Sequence, residues 1–398
     1  MRWLGLATIA GVAIACGSFG SDADPPVDAG GEDASAIADG DVPPDGALLD
    51  VRADAAPFDL AVRPACPRPA ALPSACVSSG SCSPMPIFTP PSPEHPAGIA
   101  IDARHVFWLS FPGGADGYNG NGPAVLRRLD RVTKGVVEIA RGQRDATKLL
   151  ANGPYLYWTA RGDETTELRV MRKDAPACDA NGCSGTIRPI KFGAITPIRS
   201  LAMPAPDVLF VMYGNGSVLR VALASGTTTP TAMTTDYPAL VASAGEVFAS
   251  GSKQTVVLRI PAVGNPVRTL GSLVPRDSGT GYVGASYLAT DCKDVYALAA
   301  ERSIDRIPVT ADGGMFQPFV TLPAIDVFAV VSDARFLYVG GANGGGLVAV
   351  DMATQGPPIK LANGSVWDVD VSDDAIVFGQ HGAKPTDTSA GAIFLIEK

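Results

Sequence analysis

Histidine, the side chain most often used for proton transfer near neutral pH, occurs only three times in this 398-residue chain. His95, His105 and His381 fall on different elements with no metal-ligand spacing among them, and each reads as a surface or turn residue. No Gly-x-Ser-x-Gly elbow, His-Glu-x-x-His helix or Walker loop is present, so the sequence names no catalytic residue, metal or cofactor. The run Gly340-Gly341-Ala342-Asn343-Gly344-Gly345-Gly346 joins two expected strands and opens no helix. A phosphate cradle needs helix N-terminal amides, so this run is expected to be a flexible hairpin loop. Past residue 15 no segment approaches transmembrane length.

A charge excess is missing from most of the chain as well. The net charge of −9 is concentrated in residues 17–60, which hold ten Asp and one Glu against Arg52 alone. With these and Arg2 set aside, 29 acids and 29 bases remain in residues 61–398. Nucleic acid binding needs a basic field over the domain, so nucleic acid is set aside as a partner. Residues 17–60 are Asp, Ala, Gly and Pro with almost no aromatics. Such a stretch cannot offset its chain entropy by burial, and its like charges repel. It is expected to be an extended tether over residues 16–60, with a cysteine-containing lead-in at 61–84. Its acids show no turn-like spacing of Ca²⁺ ligands.

What is abundant is glycine (44), proline (34) and a 46% hydrophobic share, which suits many short strands joined by turns. From about residue 85 the chain repeats. An aliphatic–aromatic pair recurs at Val106-Phe107, Leu156-Tyr157, Leu209-Phe210, Val247-Phe248, Val295-Tyr296, Leu337-Tyr338 and Val377-Phe378. The aromatics lie 38 to 53 residues apart, the spacing of propeller blades. Each pair belongs to the second of four strands, and the third recurs as in Val125 to Leu129 or Val256 to Ile260. The reading is an all-β, seven-bladed β-propeller over residues 85–398, with four-stranded antiparallel blades. The last unit stops at its third strand. Residues 86–89 are therefore predicted to supply its fourth strand, closing the ring onto Ile393 to Ile396 and removing an open edge.

The N-terminus reads as a short export signal over residues 1–15, with Arg2 ahead of an apolar, small-residue stretch. Ala13-Ile14-Ala15-Cys16 resembles the lipobox of bacterial lipoproteins. The resemblance implies cleavage before Cys16 and its lipidation, hence membrane attachment through several acyl chains. Gly17 resembles a non-retention residue, which implies the outer membrane. Six cysteines remain, an even set that reads as disulfides in an exported chain. Cys178 and Cys183 flank a turn in the second unit and are expected to pair. Cys292 lies on the same face, and one of Cys66, Cys76 and Cys82 is expected to reach it while the other two pair locally.

Leu156-Tyr157-Trp158-Thr159 and Val106-Phe107-Trp108-Leu109 resemble the second strand of YWTD- and NHL-type propeller repeats. The motif's Asp is Ala160 here, and seven units replace the six of YWTD domains. The resemblance therefore carries over the fold and nothing of receptor function.

Acids recur at the turn between the first and second strands, at Asp102, Asp207, Glu246, Asp291, Asp294, Asp333, Asp373 and Asp374. They are expected to hydrogen-bond their own turns. A binding site is expected on the opposite face, where loops surround the channel and Phe111 to Pro123, Gly271 to Ser286 and Gly379 to Gly391 read as the longest insertions. Candidate ligand-binding residues there are Asp116, Tyr118, Arg161, Asp163, Glu164, Lys253, Tyr282, Glu301, Arg302 and His381, with Arg276 and Lys384 beside them. The favoured function is a non-catalytic envelope module for a protein, peptide or glycan partner. The alternative is a propeller lyase or hydrolase using Glu164, Glu301 and His381 over the channel. A structural spacer without a deep pocket is a third reading.

Overall fold

The computed structural model describes residues 71–398 except 75, 77–81, 91–93, 113–122, 163–164, 193–196, 235–238, 244, 252, 265, 275–284, 300–301, 324–325, 343 and 382–390. Its contacts divide the chain into 1–56, all outside the described residues, and 57–398, which holds the propeller. The expected export signal and tether, Cys16 and Cys66 lie outside the described residues.

Seven four-stranded antiparallel sheets form a seven-bladed β-propeller. Blade 1 is β2 (Glu94–Ile101), β3 (His105–Pro112), β4 (Pro123–Asp130) and β5 (Val136–Arg144). Blade 2 is β6 (Thr147–Asn152), β7 (Tyr155–Arg161), β8 (Thr166–Arg172) and β9 (Arg188–Lys191). Blade 3 is β10 (Ile198–Ala205), β11 (Val208–Tyr213), β12 (Ser217–Ala222) and β13 (Thr227–Met233). Blade 4 is β14 (Ala239–Ser243), β15 (Glu246–Ser250), β16 (Val256–Pro261) and β17 (Arg268–Ser272). Blade 5 is β18 (Ala285–Thr290), β19 (Asp294–Ala299), β20 (Ser303–Pro308) and β21 (Gln317–Thr321). Blade 6 is β22 (Asp326–Ser332), β23 (Phe336–Ala342), β24 (Gly346–Asp351) and β25 (Ile359–Ala362). Blade 7 is β26 (Ser365–Val371), β27 (Ala375–His381) and β28 (Ala392–Glu397), completed by β1 (Met85–Phe88).

The expected closure is present. Met85 pairs with Leu395, Pro86 with Phe394 and Phe88 with Ile393. Because β1 is antiparallel to β28, the chain enters the propeller from the face that carries the turns between first and second strands. Upstream, Leu72 and Cys76 are buried against blades 6 and 7, and Cys76 is bonded to Cys82.

Each of seven apolar clusters fills one junction between neighbouring blades. The repeated aromatic explains them. Phe107, Tyr157, Phe210, Phe248, Tyr296 and Tyr338 each pack toward the next blade. Burying one such side chain contributes about 1.5–3 kcal/mol, so a repeat of about 45 residues is a repeat of junctions. Blade 7 departs from the sequence pattern. Pairing of Val371 with Ile376 and of Asp370 with Val377 puts Val377 at the repeated aromatic position, with Phe378 one place beyond. Phe378 therefore packs backward onto blade 6, while Val377 faces blade 1. The volume is supplied from the other side by Trp108, fully buried and 5.0 Å from the Phe88 ring. Equal total volume is what a packed junction requires.

Three further readings are corrected. Gly340 and Gly341 are not loop; they lie in β23 opposite Leu347 and Gly346. A Cβ at Gly340 would come within 2.8 Å of Val366 Cγ1, so the strand admits only glycine where blade 7 approaches. His95 is no surface residue, because β2 starts earlier than expected and carries it inside at 3% exposure; burial lowers its pKa. The longest connection is residues 173–187, between β8 and β9 on the turn face, not one of the loops opposite. It holds the Cys178–Cys183 disulfide and lies on the edge of β5, where Cys178 N donates to Glu138 O at 2.7 Å.

Candidate functional site

The inner strands β2, β6, β10, β14, β18, β22 and β26 surround the axis and run from the long-loop face to the turn face. Each presents one ladder edge to the channel, so some of its amides need partners from outside the sheet. Neighbouring blades supply several. Ile99 N donates to Asp368 Oδ2 at 2.8 Å and Ile101 N to Asp370 Oδ2 at 2.9 Å, joining blade 7 to blade 1. Leu240 N donates to Ser200 Oγ at 3.1 Å, and Ser332 Oγ to Thr290 O at 2.7 Å. Asp368 is half-buried; burial pushes its carboxyl up, against the pull of Lys148 and the Ile99 amide.

The turn-face half of the channel encloses a cavity of about 290 Å³. Its walls are runs of two or three consecutive residues from six inner strands, among them Leu150, Leu201, Leu240, Leu288, Val330 and Asp370. Nothing in their local sequence marks these runs as a wall. The cavity is mostly aliphatic, with Asn152, Thr290, Ser332 and Asp370 as its polar groups. It can hold a small apolar body, and it is ringed by turns whose own polar groups are engaged.

Those turns behave as the acidic repeat predicts for three blades. Asp102 Oδ1 accepts from Arg104 N and His105 N at 2.9 and 2.7 Å. Asp291 Oδ1 accepts from Lys293 N and Asp294 N at 2.9 and 2.7 Å. Asp333 Oδ1 accepts from Arg335 N and Phe336 N, both at 2.7 Å. The second oxygens reach further. Lys173 Nζ donates to Asp102 Oδ2 at 2.9 Å, and burial, which would raise the Asp102 pKa, is outweighed by that ammonium and the turn amides. Asp333 Oδ2 takes the Tyr338 hydroxyl at 2.7 Å and Lys398 Nζ at 2.6 Å. Lys398 and Asp333 are 1% and 0% exposed, and burial draws the ammonium pKa down against the attraction of Asp333. Glu246 instead pairs with Arg259 at 2.7 Å, and Asp374 with Arg131 at 2.9 Å. This face spends its charge on holding turns and blades together.

On the long-loop face the described candidates are Arg161, Lys253 and Arg302. They stand at the connections between second and third strands of blades 2, 4 and 5, and all three are exposed. Arg161 Nη1 reaches Asp145 Oδ2 at 3.4 Å. His381 ends β27 opposite Ser365; its side chain lies outside the description. Asp116, Tyr118, Asp163, Glu164, Arg276, Tyr282, Glu301 and Lys384 also lie outside the described residues. Among the described residues no group of three His, Cys, Asp or Glu could hold a metal. Asp368, Asp370 and the cavity wall escaped the sequence because their roles depend on strands about 270 residues apart meeting at ring closure.

No family model matches the chain, and no curated protein matches it. Among solved structures, the chain resembles the C-terminal WD40 domain of Sif2, at 12% identity and a TM-score of 0.50, over 79% of this chain and 98% of that one. It also resembles a chain of the nidogen/laminin complex, at 12% identity and a TM-score of 0.43, over 59% of this chain and 90% of that one. At such identity a likeness shows the fold alone, and a score below 0.5 carries no argument.

Proposed function

We propose that this chain is an exported, lipid-anchored, non-catalytic binding module that takes a protein, peptide or glycan on the long-loop face of its propeller. One observation carries the reading: Arg161, Lys253 and Arg302 stand exposed on one face, while the acids of the other face are engaged in its turns. Binding residues concentrate on connections held by a rigid scaffold. Export is supported by the Cys76–Cys82 and Cys178–Cys183 bonds and by a bonded Cys292, since disulfides persist in oxidising compartments. With Cys76 and Cys82 joined to each other, Cys66 is the proposed partner of Cys292. Cys16 is the proposed lipid site, and Asp116, Tyr118, Asp163, Glu164, Tyr282, Glu301 and His381 complete the proposed face.

The test is capture from envelope extract by the full chain, beside a folded variant carrying Arg161→Ala, Lys253→Ala and Arg302→Ala. A partner held by the native protein and lost by the variant is the expected result. Equal capture by both removes the long-loop face as the binding surface.

A further inference from the structure

The inner strands share a feature that neither the repeat nor the loops announce. In six of the seven blades the inner strand carries a β-bulge, at the middle of β2 and in the long-loop half of the other five. Gly98 is the extra residue between Ala97 and Ile99, Lys148 between Thr147 and Leu149, and Arg199 between Ile198 and Ser200. Tyr287 is looped out with Ser286 between Ala285 and Leu288, Phe328 between Val327 and Ala329, and Trp367 between Val366 and Asp368. Against the second strands, all six fall within about one rung of each other. Only β14 in blade 4 pairs without a shift. A bulge breaks the alternation of side chains and leaves the extra residue unpaired in the ladder.

The bulge residues are sorted by chemistry. Blades 2 and 3 present Lys148 and Arg199, both exposed. Blades 6 and 7 carry Phe328 and Trp367, both half-buried, with their rings 4.1 Å apart, while Tyr287 of blade 5 packs against the junction of blades 5 and 6. In a ring of seven, blade 6 lies across the axis from the junction of blades 2 and 3. Blade 1 contributes a glycine between the two arcs, and Lys148 acts across it on the Asp368 carboxyl of blade 7. Asp368 itself accepts from Ile99 N and Val369 N, so it belongs to the wall. Lys148 holds a φ of 40°, a left-handed backbone that an ordinary side chain rarely adopts.

We infer that this ring of bulges is a ligand site for a small organic acid whose carboxylate is carried on a ring. The ring stacks on the aromatic arc, where a flat or CH-lined face finds the π surfaces of Trp367 and Phe328, and the carboxylate is taken by Lys148 and Arg199. The chemistry is shared by a uronic acid and by an aromatic acid. The inference does not rest on the loop residues of the proposed partner surface, so either can fail alone.

Trp367 supplies the readout, since Trp108 and Trp158 are fully buried and Trp3 lies in the N-terminal segment. The purified full chain is titrated with glucuronate, with benzoate and with neutral glucose, following tryptophan fluorescence and calorimetry. Saturable quenching by either acid and none by glucose is expected, and the responding acid identifies the source. Lys148→Asn removes the charge and tolerates the left-handed backbone; it is expected to weaken binding about tenfold, as a lost charge-assisted hydrogen bond does. Trp367→Phe keeps a stacking face and is expected to retain calorimetric binding without the quench. Equal response to glucose, no response to either acid, or unchanged affinity in Lys148→Asn overturns the inference.

Discussion

The two ends of the channel are built from the same seven strands and use polar residues in opposite ways. At the turn end, Asp102, Asp291 and Asp333 close their own turns, and Lys398 is sealed against Asp333 beside Ser372 O. At the long-loop end, Lys148 and Arg199 are displayed on bulges and Arg161, Lys253 and Arg302 on connections. The difference teaches where stability and recognition are kept apart. One end ties its cations, exposed ones such as Arg104 and Arg172 included, to neighbouring acids, and the other can then carry strained backbone at small cost.

The largest expected effect comes from opening the turn end. Asp333→Ala leaves Lys398 buried without its carboxylate and should destabilise the fold by about 3–5 kcal/mol, read from thermal or denaturant unfolding. A loss below 1 kcal/mol would mean that the ammonium finds water and that the turn end is softer than its burial indicates. Next, Cys178→Ser with Cys183→Ser frees the connection lying on β5. For so short a loop, about 2 kcal/mol is expected, with hydrogen exchange rising at Glu138 to Ala140 and not at the long-loop end. The smallest change should have the opposite sign. Lys148→Gly relieves a left-handed residue and should raise stability by up to about 1 kcal/mol. Residues whose removal stabilises are expected at functional sites, so a clear loss of stability there would erase the contrast between the two ends.

Much of this architecture was legible because a propeller is a repeated junction. The aliphatic–aromatic pairs mark seven junctions, and the missing last strand points to β1. The pattern slipped at Val377-Phe378, where the aromatic is one place off. Sequence spacing could not show this, because Trp108 and Phe88 compensate from distant parts of the chain. Gly340 lacks a strand signal for a related reason. Its strand position is dictated by Val366 in the next blade, a contact with no local signature.

The candidate site was less legible. Residues at strand ends and connections such as Arg161 and Arg302 stand out in sequence because turns punctuate them. Lys148, Tyr287, Phe328 and Trp367 do not, since a bulge is a register shift between two strands and is defined only once both are paired. The sequence by itself determined the number of blades, the closing strand, the local Cys178–Cys183 bond and the turn-forming role of Asp102, Asp291 and Asp333. These depend on periodicity and on neighbours a few residues away. Tertiary structure alone decided which residues wall the channel, which acids tie blade 7 to blade 1, and which junction Phe378 fills. Each of those depends on closing the ring, an event that joins residues about 270 positions apart and that no local pattern encodes.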